Sequence, residues 1–121
     1  MMFQNVQRYI DEWKDIRDQL ADYFRNKQKN DIYDVMLQQI EQFKWALYYC
    51  NNCEGPTDSV ITKKVIDEMD YVPVNVLERL TFIEENPKHY QSYIQLRALF
   101  DEFEKIYARA KVMKKDQSIM D

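Results

Sequence analysis

The sequence predicts an all-α single domain, a helical bundle of three long helices plus two short ones. Glycine occurs once in 121 residues, whereas hairpin sheets and phosphate-cradling loops both need several. Apolar residues recur at steps of three and four over long windows, the period of a helix face. The three prolines, Pro56, Pro73 and Pro87, fall at the edges of those windows, where chain breaks belong.

The first helix is expected over residues 3–26, with Phe3, Val6, Ile10, Trp13, Leu20 and Phe24 on one stripe and Arg17 as its one polar interruption. Tyr9 and Ile16 widen the stripe. A polar connection, RNKQKN, leads to a second helix over 31–50 that faces inward with Ile32, Met36, Ile40, Phe43 and Leu47. NNCEGPTDS breaks that helix. Thr57, Asp58 or Ser59 then caps a shorter one reaching about Asp70, with Val60, Ile61, Val65 and Met69 buried. YVPVN reads as extended, because the residue before a proline avoids the helical region. Asn75 with Glu78 three residues on has the spacing of a capping box for a helix over 76–85. Asn86-Pro87 reads as a stop and a restart, with asparagine as N-cap and proline as first residue of a last helix over 87–115. The domain then spans 1–115, and 116–121 is expected to fray.

Composition removes several function classes. A net charge of −4 gives no general affinity for nucleic acid or anionic lipid. No apolar run approaches the ~20 residues of a bilayer span. The opening MMFQNVQRYIDEW has no basic region followed by an apolar one, so a secretory signal is not expected and a cytoplasmic location is. A single histidine, His89, rules out multi-histidine metal sites. It lacks the Glu-x-x-His spacing of di-metal bundles, because Glu85 stands four residues away and Pro87 intervenes.

The cysteines Cys50 and Cys53 form a C-x-x-C at the end of the second helix. One thiol pair is half a zinc site, and the C-terminal end of a helix disfavours a thiolate. A structural role for Cys50 on the apolar edge is favoured, and metal binding shared between two chains is the alternative. Asp11, Asp15, Asp18 and Asp22 make an acidic stripe opposite the apolar face of the first helix. A solvated face explains it. A Mg²⁺-dependent nucleotide hydrolase would instead need Asp15, Asp18, Asp31 or Asp34 to converge in a cleft. Arg79 lies between Phe82 and the Val76/Ile83 side of its helix; with Phe82 buried, the guanidinium is at least half-buried and in need of a carboxylate. Trp45, Tyr49, Tyr90 and Ile94 fall off the core stripes, with Tyr48 at the edge of one. Any left exposed would mark an interface. The C-terminal lysines and arginines, Lys105 to Lys115, suit a helix C-terminus.

The stretch 71–110 carries Pro73, Asn75, Glu78, Arg79, Leu80, Phe82 and Ile83, followed by Pro87, Tyr90, Gln95, Leu96, Leu99 and Phe100. This pattern resembles the signature of the YpoC-like family of small bacterial proteins. The resemblance implies a bacterial cytoplasmic protein and supplies no activity. It adds weight to Asn75, Glu78, Arg79, Tyr90 and Gln95, whether for folding or for binding. No motif of the N-terminal two-thirds contributes to it.

The expectation is a non-catalytic protein-protein interaction module, without cofactor, whose partner is another protein or a second copy. It rests on the lack of a nucleophile–base set, a phosphate loop or a full ligand set, and on the surplus of off-stripe aromatics. The alternatives are the Mg²⁺-dependent hydrolase and a zinc- or redox-linked dimer through Cys50 and Cys53.

Overall fold

The computed structural model describes residues 5–51 and 61–120, and side chains as far as residue 113. Its elements are α1 (Asn5–Arg25), α2 (Lys29–Cys50), α3 (Lys63–Asp67), α4 (Val76–Glu85) and α5 (Tyr90–Met120). The fold is all-α, with no strand among the described residues. None of the described helices is long and apolar enough to cross a membrane.

α1 and α2 form a hairpin whose turn has a definite chemistry. The Gln28 N–H donates to the Tyr23 carbonyl at 2.9 Å and the Lys27 N–H to the Phe24 carbonyl at 3.2 Å. This is the paired closure of a Schellman motif, with Lys27 at φ 56° in the position that usually holds glycine. The closure lets α2 begin at Lys29, two residues before the sequence predicts.

The core is an aromatic seam shared by α1, α2 and α5. Trp13 stacks on Phe100 with centroids 4.7 Å apart and an interplanar angle of 7°. Phe43 meets Phe100 and Phe103 edge-on at 5.1 and 5.6 Å. Offset and edge-on pairs of this kind suit the ring quadrupole and add to what burial alone contributes. Val6, Ile10, Trp13 and Leu20 are buried on α1 as the stripe predicts, Phe24 is half-buried and Phe3 lies outside the described residues; Ile32, Met36, Ile40, Phe43 and Leu47 are buried on α2. Cys50 and Tyr48 are buried as well, so Tyr48 belongs to the core and offers no surface. Lys44 is also buried, which periodicity did not signal. Its ammonium lies 3.4 Å from Glu41 and 3.1 Å from Glu84 and ties α2 to α4.

Several boundaries and caps differ from the sequence reading. The short third helix covers only Lys63–Asp67, and its cap is Thr62, whose Oγ1 accepts from the Val65 N–H at 3.3 Å. The predicted caps at 57–59, and Val60, lie outside the described residues. Asn75 forms no capping box: it has φ 57° and ψ 34°, and its side chain makes no cap hydrogen bond. A side-chain cap needs an extended backbone at that position, and a left-handed one aims the amide elsewhere. Asn86 closes α4 instead of opening α5, its amide donating to the Phe82 carbonyl at 2.9 Å. Residues 87–89 form a turn, and α5 starts at Tyr90 and is helical through Met120, past the expected boundary at 115.

The start of the extended segment before α4 is held by a side chain of the residue that ends α2. Asn51, at the end of α2, accepts from the Tyr71 N–H at 2.8 Å and donates to the Tyr71 carbonyl at 3.0 Å. The same amide nitrogen donates to the Leu47 carbonyl at 2.8 Å. Asn51 thus closes α2 and clamps the chain four residues before Asn75.

Candidate binding groove

α4 lies against the N-terminal half of α5, and their paired faces leave an open groove of about 830 Å³. Glu78, Arg79 and Phe82 line it from α4, at spacings that place them on one side of that helix. Gln95, Ala98 and Glu102 line it from α5 at i, i+3 and i+7. Val74 and Asn75 form its rim. The groove exists because Ala98 is small: a larger side chain between Gln95 and Glu102 would fill it.

Arg79 spans the floor, and only 19% of its side chain is exposed. Its Nη1 donates to Glu102 Oε1 at 3.0 Å and its Nη2 to Glu102 Oε2 at 2.6 Å, the parallel two-bond pairing of a guanidinium with a carboxylate. Nη1 also donates to the Val74 carbonyl at 3.1 Å, and Nε to Gln95 Oε1 at 3.4 Å. The carboxylate that the sequence required is therefore Glu102. The predicted burial of Arg79 is present for a different reason. Phe82 is 42% exposed and does not place that side of α4 in the core; Arg79 is buried against α5, paired with Glu102. The hydrogen bond from Arg79 holds the Glu102 carboxyl below its ordinary value of 4.5, against the opposing effect of burial and with help from the nearby charges of Arg79 and Lys105.

The apolar parts of the groove face solvent. Val74 is 73% exposed and Phe82 42%. Glu78 and Asn75 are exposed, and neither side chain has a hydrogen bond or ion pair among the described residues. Four residues singled out from the sequence, Asn75, Glu78, Arg79 and Gln95, thus meet at one place. Glu102 and Ala98 were missed, since an i+7 relation to Gln95 signals nothing until α4 is laid alongside.

The other singled-out residues lie elsewhere. Tyr90 is 55% exposed and Ile94 37%, and Tyr90 borders a smaller hollow with Ala21, Phe24 and Arg25. Its ring contacts Phe24 at 5.5 Å and Tyr93 at 5.6 Å. Trp45 is half-buried, 5.5 Å from Tyr49, which stacks on Tyr9 at 6.2 Å. Phe24 and Tyr9 are fifteen residues apart on α1, or about 22 Å at 1.5 Å per residue, so Trp45 and Tyr90 share no surface. His89 is exposed.

Asp15, Asp18, Asp31 and Asp34 are each exposed. No group of three or more His, Cys, Asp or Glu side chains able to hold a metal ion occurs among the described residues. Cys50 is fully buried, so bridging through it would require its removal from the core. Cys53 lies outside the described residues.

The fold and groove define a small all-α domain with a solvent-open surface of mixed polarity, floored by an interhelical ion pair. The sequence profile of the YpoC-like protein family matches residues 3–115, so the chain belongs to that family. The match extends through the N-terminal region in which no motif was legible. No curated protein and no solved structure matches the chain.

Proposed function

We propose that this protein is a non-catalytic protein-binding domain and that its binding surface is the α4–α5 groove. The observation that carries this is the contrast inside the groove. Arg79, its strongest polar group, is committed to Glu102, Gln95 and Val74 within the chain. Val74 and Phe82 beside it are left facing water. An internally satisfied polar floor with an exposed apolar rim suits a surface that another chain covers.

The test is a photo-reactive phenylalanine analogue at Phe82, activated in living cells. A discrete protein adduct is expected, absent when the analogue replaces the exposed Asp18 on α1. The captured partner, once purified, should bind the wild type and fail to bind Ala98→Trp, which fills the groove. Equal labelling from both positions, or full binding by Ala98→Trp, would overturn the proposal.

A further inference from the structure

We infer that the occupant of the groove is a peptide segment of another protein carrying a lysine or arginine next to a large apolar residue. The inference rests on the reading of the groove as a protein-binding surface and adds the chemistry of what fills it.

The first argument is charge. The groove holds one arginine and two glutamates, Glu78, Arg79 and Glu102. Arg79 and Glu102 neutralise one another through two parallel hydrogen bonds. Of the five N–H donors of the guanidinium, four point at partners in this chain. An anionic ligand would have to compete with Glu102 for them. What remains on offer is the Glu78 carboxylate, exposed and unpaired among the described residues. The groove is therefore a cation acceptor, despite the arginine at its centre. The chain as a whole, at −4, favours approach of a cationic segment.

The second argument is the order of groups along α4. Glu78 and Phe82 are one helical turn apart on the same face. A cation held by Glu78 thus lies beside a ring that is 42% exposed, and aromatic faces attract ammonium and guanidinium groups. The exposed Val74 and the recess at Ala98 give an adjacent apolar side chain its seat.

The third argument is the free amides. Gln95 accepts from Arg79 through its oxygen, which leaves its NH₂ donors uncommitted among the described residues. The Asn75 amide, released from capping by the left-handed backbone, is likewise open. Two amides on opposite walls suit the alternating donors and acceptors of a peptide backbone.

The test uses a phage-displayed library of random dodecapeptides, selected on the wild-type protein and counter-selected on Ala98→Trp. Expected are peptides enriched in Lys or Arg beside Leu, Ile, Phe or Trp. Replacing that basic residue by norleucine should weaken the Kd at least tenfold, Glu78→Gln should do the same, and the affinity should fall as salt rises. Phe82→Ser, at a half-exposed position, provides a second groove variant should Ala98→Trp not fold, which circular dichroism decides. Peptides that need the groove yet are indifferent to Glu78→Gln and to their own charge would overturn this inference and leave the binding surface standing. Should no peptide distinguish wild type from both groove variants, the binding surface itself falls.

Discussion

Among the described residues two non-glycines, Lys27 and Asn75, have a left-handed backbone, and they differ in what that implies. Lys27, at φ 56°, holds the glycine position of a Schellman closure and has a Cβ that the left-handed region disfavours by about 1–2 kcal/mol. Lys27→Gly removes that strain and adds chain entropy to the unfolded state. We expect a net gain of about 0.5–1 kcal/mol, seen as a higher urea midpoint with an unchanged m-value. Asn75, at φ 57°, is a residue that tolerates this region. Its substitutions therefore separate shape from chemistry. Asn75→Gly keeps the turn and leaves the melting temperature near that of the wild type, whereas Asn75→Ala should lose about 1 kcal/mol. Loss of a groove ligand in the glycine variant would then report on the amide itself.

At the scale of elements, α4 is positioned by contacts at both ends. Among the described residues the Asn51 side chain makes three hydrogen bonds, two to the peptide groups of Tyr71 and one to the Leu47 carbonyl. It links the end of α2 to the segment that becomes the groove rim. Asn51→Ala should cost about 2–3 kcal/mol, from roughly 1 kcal/mol per bond, and hydrogen exchange at Tyr71 should quicken more than at Phe100 in the core. At the other end Lys44, buried under α4, reaches Glu84. On the α5 side the Arg79–Glu102 pair fixes the spacing of the two groove walls. Glu102→Ala would leave a largely buried guanidinium without its carboxylate. Cutting the cost of breaking a buried pair for partial exposure gives a loss of about 1–2 kcal/mol.

For the molecule as a whole, the same pair contributes to acid sensitivity. The folded-state carboxyl of Glu102 lies below its ordinary 4.5, so the stability it confers is present above that value. It is lost as pH falls through the lower folded value, because the unfolded chain then binds the proton more readily. Glu102→Gln should flatten the part of a pH–stability curve below about 4.5. Its effect there should be smaller than at neutral pH. Tyr107 acts on the opposite limb. Burial raises it above 10.0, with nearby Cys50 and Asp11 adding to the shift. Ionisation of Tyr107 therefore opposes folding only once pH passes 10.0, and Tyr107→Phe should make the alkaline decline shallower.

The helices that have an inner and an outer face were legible in the residue pattern alone. The stripes on α1 and α2 follow from periodicity, since a helix with one apolar face has one way to bury it. The need of Arg79 for a carboxylate was argued from a buried Phe82, and Phe82 is 42% exposed. The packing of the helices supplied the carboxylate, and with it the groove. Glu102 is twenty-three residues from Arg79 in the chain, and only the packing of α4 on α5 makes them neighbours. It also set which off-stripe aromatics pair with one another, as Trp45 does with Tyr49, and which remain exposed, as Tyr90 does. Burial of Lys44 and the clamp by Asn51 were likewise illegible, because each depends on an element distant in sequence. Periodicity reports the direction a side chain leaves its own helix; what meets it there is set by the packing of the other helices.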